Sequence, residues 1–197
     1  VGSGEVVSHG QASGSHFVAV TNNPAGGVSI YKWNGTSGRY EPDNTVDIAT
    51  HIGATFSEVS SVAIDPRNTG IGVAAVQLQS PSHTFLANDE DGASIGSQTI
   101  QISAPVVGKV VFFNIETGAI LSDQDAGYHP DMVTIGANGY CAVANEGEYA
   151  WSGNENIVPQ AGASEFNSFQ QPGSVSIYDL TAATIASLDA GGSGSAP

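Results

Sequence analysis

Basic side chains are almost absent. Four Lys plus Arg face nineteen Asp plus Glu in 197 residues, a formal net charge of −15. A surface this acidic repels phosphate backbones and anionic lipid, so nucleic acid and anionic lipid are poor partners for it. It attracts cations, and Ca2+ is the common hard cation for carboxylate and carbonyl oxygens; the same charge also keeps a protein in solution. Lys32, Arg39, Arg67 and Lys109 lie too far apart to suggest a phosphate clamp. Phosphoryl transfer needs cationic groups or metals to take up developing charge, so their scarcity counts against a phosphatase unless metals supply all of it. Cysteine is limited to Cys141. That excludes an intrachain disulfide and a Cys-based zinc cluster, and its apolar surroundings in residues 140–144 predict a buried, inert thiol. No apolar run is long enough for a membrane-spanning helix, and no amphipathic helical period of useful length is visible. The Gly-x-Ser-x-Gly elbow of serine hydrolases is missing, and the five histidines (His9, His16, His51, His83, His129) show no helical metal-pair spacing. The chain opens on Val without a signal peptide, which reads as a processed mature chain or a piece of a longer one.

What is present is a repeat. Glycine, at 25 copies, is spread without a three-residue period, between short apolar runs and Asn, Ser and Pro. The pattern is a short apolar strand, a turn or insertion, a glycine, and an alternating strand ending in a polar turn. It occurs at 17–22 with 27–33, at 71–77 with 108–115, and at 140–146 with 173–180. The second and third copies carry a preceding strand, at 59–65 and 130–135, and a following one, at 119–121 and 184–188. Four short antiparallel strands per unit make up a propeller blade. The expectation is an all-β chain of three blades, about 5–50, 56–125 and 128–190, with a flexible Gly/Ser-rich tail at 191–197; a β-sandwich is the alternative. Small residues such as Ala74, Ala75, Ala142 and Ala144 suit a strand packed on both faces, and the alternation at 28–31 and 175–178 suits a half-exposed one. Residues 78–107 and 147–172 read as long loop insertions.

The third repeat carries a recognisable set: His129-Pro130-Asp131-Met132-Val133, then Ala144-Asn145-Glu146-Gly147-Glu148, then residues 172–180. It resembles the choice-of-anchor I family of extracellular β-propellers, which includes mesenchyme-specific cell-surface glycoproteins linked to biomineralisation. Members are also labelled alkaline-phosphatase-like or phytase/esterase-like. Residues 60–64 and 108–113 extend the resemblance into the second repeat. It implies an extracellular or cell-surface location and more blades than three. Gln77 stands where the resemblance would lead one to expect an acid.

Asp131, Asn145, Glu146 and Glu148 form the candidate cation site: three carboxylates and an amide oxygen, with a turn at Gly147. The alternative is a solvated strand end. Residues 88–92 form a second acidic cluster with the same two readings. His129 lies in the family motif and is expected to be structural. Asn34-Gly35-Thr36 is an N-glycosylation acceptor on a hairpin loop. Trp33 and Trp151 read as packing anchors. The leading expectation is a non-enzymatic extracellular module that binds Ca2+ and works in adhesion, surface coating, biomineral-associated or self-assembled structure. Its rival is a metal-dependent phosphoesterase. Three blades leave strand edges and faces open, so the expected partners are further copies of the chain or the remaining blades of a longer one.

Overall fold

The computed structural model describes residues 6–79, 82–88, 93–101, 106–147, 158–159 and 173–180. The chain is mostly β. The first sheet runs in sequence order through β1 (Val7–Ala12), β2 (Ser15–Asn22), β3 (Gly27–Asn34) and β4 (Arg39–Asp47). A five-residue helix, α1 (Ile48–Ile52), leads to the second sheet; Asp47 caps it by accepting from the Thr50 N–H. The second sheet contains β5 (Phe56–Ile64), β6 (Ile71–Leu78), β9 (Val107–Asn114) and β10 (Ile120–Tyr128), in the order β10-β9-β6-β5. Between β6 and β9, β7 (Ser82–Asn88) and β8 (Ser94–Gln101) form a hairpin. The third sheet is β11 (Pro130–Ile135), β12 (Tyr140–Asn145) and β14 (Ser174–Asp179), while β13 (Val158–Pro159) joins the β7–β8 hairpin.

The three antiparallel sheets, of four, four and three strands, follow the three repeats. Among the described residues they do not close into a propeller ring. The expected fourth strand of the last repeat, 184–188, and the tail at 191–197 lie outside the described residues. The insertion at 78–107, expected as a loop, contains the β7–β8 hairpin instead, and the insertion at 147–172 contributes the strand that extends it.

Strand alternation explains how the sheets stack. The second sheet sends Ala74, Val76, Val111 and Phe113 into one core with Phe17, Ala19, Val28 and Ile30 of the first sheet. The intervening residues, Val73, Ala75, Val110 and Phe112, enter a second core with Val133, Ile135, Cys141 and Val143 of the third. A period-2 strand buried on both faces needs apolar residues at every position, and β6 is buried from Ile71 to Gln77. This is the physical basis of its unbroken small and apolar run.

Both seams have the same form. The first strand of each sheet packs on the first two strands of the sheet before it: β5 on β1 and β2, β11 on β5 and β6. Each seam is also fastened by a serine hydroxyl that accepts a backbone N–H from the next sheet. Ser8 accepts from Ile64 at 2.9 Å and Ser61 from Val133 at 3.2 Å. A bridge of opposite charges locks the second seam. Arg67 donates through Nε and Nη2 to both oxygens of the fully buried Asp65 (3.0 and 2.7 Å), and Nη2 also donates to the Leu180 carbonyl at 2.6 Å.

Candidate functional site at the junction of the second and third sheets

The conspicuous sequence segments of the third repeat converge where β10 ends, β11 begins and β12 ends. Register pairs Pro130 with Asn145 and Met132 with Ala144, with a bulge at Asp131. The Glu146 N–H donates to the His129 carbonyl at 3.0 Å, and the Gly147 N–H to that of Tyr128 at 3.3 Å. His129 bends the chain between β10 and β11 in a left-handed conformation, φ 52°, a geometry for which His is among the more tolerant non-glycine residues.

Asn145 is the buried centre of the junction, 3% exposed. Its Oδ1 accepts from the Gly127 N–H at 3.0 Å, and its Nδ2 donates to Ser174 Oγ (3.1 Å) and Ser176 Oγ (3.0 Å). One carboxamide thus fastens three chain segments. Gly127 is required there by close approach: a Cβ would lie 2.5 Å from Asn145 Cγ and 2.6 Å from Ser174 Oγ. On the other side of the junction the Pro130 carbonyl accepts from Ser60 Oγ at 2.6 Å and from Gln77 Nε2 at 3.3 Å. Gln77 is therefore a donor across the seam. A carboxylate there would set its charge against a carbonyl oxygen, which explains in physical terms why an amide occupies the position. Asn22, at the corresponding end of β2, donates to Ser29 Oγ at 2.9 Å, the same strand-end contact as Asn145 to Ser176.

The carboxylates of the candidate cation site are placed differently. Asp131 and Glu146 are both exposed and flank the Pro130–Asn145 pair on opposite sides. The register sets them two positions apart along the ladder, roughly 7 Å at the usual strand rise. Glu146 Oε2 stands 3.4 Å from His129 Nδ1. Glu148 lies outside the described residues. Among the described residues, no group of three or more His, Cys, Asp and Glu side chains converges in a way that could hold a metal ion. Of the second acidic cluster, Asn88 ends β7, and residues 89–92 lie outside the described residues, as does Trp151.

The four cationic side chains are engaged within the chain. Besides the Arg67 bridge, Lys109 Nζ contacts Asp123 (3.1 Å) and Asp125 (2.7 Å), Arg39 contacts Glu41 (3.2 Å), and Lys32 lies 5.4 Å from the Phe17 ring centre. His51 Nε2 joins the Lys109 group at Asp123, 3.0 Å away. Burial pushes the Asp123 carboxyl up, but the bonds from His51 and Lys109 outweigh it and hold it below its ordinary value. Asp65 behaves alike: the Arg67 and Thr69 bonds overcome its burial and leave it lowered. Cys141 is fully buried, and burial with the nearby Asp65 charge pushes its thiol up to about 12, the inert state expected of it.

Asn34 stands at the turn between β3 and β4. Its Oδ1 accepts from the Thr36 and Ser37 N–H groups (2.9 and 3.2 Å), and its Nδ2 donates to Glu41 at 2.8 Å. Asn114 makes the same turn in the second sheet, accepting from Glu116 and Thr117 (2.8 and 3.1 Å). These Asx turns account for an amide at both positions.

Comparison with known proteins adds the following. No curated protein matches the chain. Among solved structures, Kuenenia stuttgartiensis hydrazine synthase is similar at 14% identity, with a TM-score of 0.27; the match covers 89% of this chain and 51% of that one. This chain therefore spans about half the length of that structure, and a likeness at this level carries no argument about fold or chemistry. The choice-of-anchor I domain matches residues 16–191, a span that leaves out β1 but includes the first sheet from His16 onward, the second and third sheets and the whole junction around Asn145. On that match, the chain belongs to the choice-of-anchor I domain family.

Proposed function

We propose that the three sheets are successive blades of a propeller, and that the chain is a non-enzymatic extracellular module of adhesion, surface coating, biomineral-associated or self-assembled structure. The observation that carries this reading is the role of Asn145. The buried polar group at the heart of the most distinctive segment is saturated by Gly127, Ser174 and Ser176, so it acts as a fastener of strands. The engagement of all four cations by the chain's own groups supports the same side: none is held ready for a phosphate.

Ca2+ binding is part of the proposal. Asp131 and Glu146 project from a backbone that Asn145 fixes, and Glu148 follows within two residues. Carboxylates of this kind are the ligands that Ca2+ takes, at 2.3–2.6 Å, and the net charge of −15 raises the local cation concentration. Binding to the native state alone would stabilise it by mass action. Thermal melts with Ca2+ and with a chelator should differ for the wild type, and Glu146→Gln should shrink the difference. Identical wild-type midpoints would remove Ca2+ from the proposal. A chromogenic phosphate ester with Ca2+ present should give no turnover; steady turnover lost in Glu146→Gln would favour the phosphoesterase instead.

A further inference from the structure

Asn-Gly occurs twice in the sequence, at Asn34-Gly35 in the turn from β3 to β4 and at Asn138-Gly139 in the turn from β11 to β12. This dipeptide carries a chemistry of its own. With no Cβ in the way, the glycine nitrogen can approach the asparagine Cγ and close a five-membered imide. Two things decide whether it does: the nitrogen must be free, and the amide carbonyl must be polarised. The two pairs differ on both counts.

At the second pair the nucleophile is tied down. Gly139 is buried, its N–H donates to the Gly136 carbonyl at 2.9 Å, and its own carbonyl accepts from the Leu180 N–H at 2.7 Å. A Cβ there would lie 2.2 Å from Arg67 Nη1. Asn138 Oδ1 accepts one long bond, from the Tyr140 N–H at 3.4 Å. At the first pair, Gly35 is exposed and a Cβ on it would meet nothing within 4 Å. Among the described residues its N–H meets no acceptor. Asn34 Oδ1 accepts two N–H bonds, from Thr36 at 2.9 Å and Ser37 at 3.2 Å. Two donors on one carbonyl oxygen stabilise the oxyanion that forms when a nucleophile adds to its carbon.

The structure assigns Asn34 as a site at which this chain modifies itself by deamidation through Gly35, with water as the co-reactant. The Gly35 nitrogen bonds to Asn34 Cγ and gives up its proton. The Cγ–Nδ2 bond breaks, and Nδ2 leaves as ammonia with that third hydrogen. Water then opens the imide at either carbonyl, leaving Asp at position 34 or an isoaspartyl link in the main chain. The Asp product sets a carboxylate against Glu41, where Nδ2 now donates at 2.8 Å. Both products remove the Asn-Gly-Thr acceptor. The assignment depends neither on reading the sheets as blades nor on Ca2+.

Peptide mapping by mass spectrometry, after incubation of the whole chain at mildly alkaline pH, reads the amide-to-acid mass gain at each pair. Enzymatic methylation of isoaspartate reads the product specific to the imide. In the native protein, conversion at 34 should outrun conversion at 138 by about tenfold or more, the protection that a modest local-opening free energy gives. In urea the two pairs should convert at comparable rates. Gly35→Ala has open space and no left-handed φ to satisfy, so it should keep the fold by circular dichroism and suppress native conversion at 34. Equal or faster native conversion at 138 overturns the assignment. Conversion at 34 that occurs only in urea overturns it too, and shows that the bonds to the Asn34 carboxamide protect it. Native conversion at 34 that Gly35→Ala leaves unchanged would replace the imide route by direct hydrolysis.

Discussion

Removing the Arg67 guanidinium should be among the most damaging single changes in the chain. Asp65 is fully buried, and Arg67 gives it two charge-assisted hydrogen bonds while reaching the Leu180 carbonyl of the third repeat. Arg67→Ala leaves the carboxylate in the core with only the backbone N–H at position 67 and Thr69 Oγ1 as donors. Breaking a buried pair by deleting one partner costs about 3–5 kcal/mol, because a charge is stranded. For a chain of this size, about 2–4 °C of melting temperature per kcal/mol gives a drop of about 6–20 °C. The exposed pair of Arg39 and Glu41 provides the control: Arg39→Ala should cost under about 1 kcal/mol. The pH dependence adds a sign. In the wild type the Asp65 carboxyl is held below its ordinary value. Its contribution is complete above the unfolded value of about 3.9 and is lost as pH falls through the lower folded value. In the variant, burial is left as the dominant influence and raises the folded value. Stability is then present below about pH 3.9 and lost as pH rises through that raised value. The two proteins should therefore differ most at neutral pH and converge on acidification. Urea titrations at neutral and acidic pH measure both quantities. A cost under about 1 kcal/mol at neutral pH, or a gap that widens on acidification, would refute the reasoning.

Asn145→Ala should destabilise by about 1–3 kcal/mol, since it removes the acceptor of the half-buried Gly127 N–H and the donor to two serines; chemical denaturation measures it. Gly127→Ala should cost about 1–3 kcal/mol by the same assay, through a clash with the Asn145 side chain, and combining it with Asn145→Ala should cost less than the sum. Cys141 should resist thiol reagents in the native protein at pH 8 and react at the rate of unfolding, because its thiol is fully buried and pushed up to about 12; reaction before the melt would contradict its placement.

The strands that fill the cores were legible because burial on both faces leaves a mark in composition: the run 71–77 admits no polar residue before Gln77. Strands β1 and β4 were harder to see. His9, Gly10 and Gln11 in one, and Arg39, Pro42 and Asp43 in the other, mask their alternation, and the partners that define them are supplied by β2 and β3. The hairpin β7–β8 looks like loop in the sequence for a related reason: Ser, Thr, Asn and Gln there give no apolar period. At the junction, the sequence identified Asp131, Asn145 and Glu146 as a group but not their division of labour. An amide near two carboxylates looks like a ligand until the fold turns it inward, where its oxygen accepts from Gly127 and its nitrogen donates to Ser174. The Asp65–Arg67 bridge looked like a plain turn because its third member, Leu180, is 113 residues away.

That last separation bears on the order in which the molecule is made. During synthesis from the N-terminus the second sheet emerges whole while the chain that covers its far face is still unmade. Arg67 can meet Asp65 at once, but the Leu180 carbonyl is made 113 residues after Arg67, while Ser60 and Ser61 wait 70 and 72 residues for Pro130 and Val133. Each sheet thus passes through a period as an open template, its apolar face and seam hydroxyls available to whatever chain comes next. Domains built from such distant contacts fold slowly and are prone to mispairing while incomplete. A ribosome-bound chain halted before residue 128 should therefore be the most aggregation-prone stage of its synthesis, and release of the third repeat the step that ends that exposure.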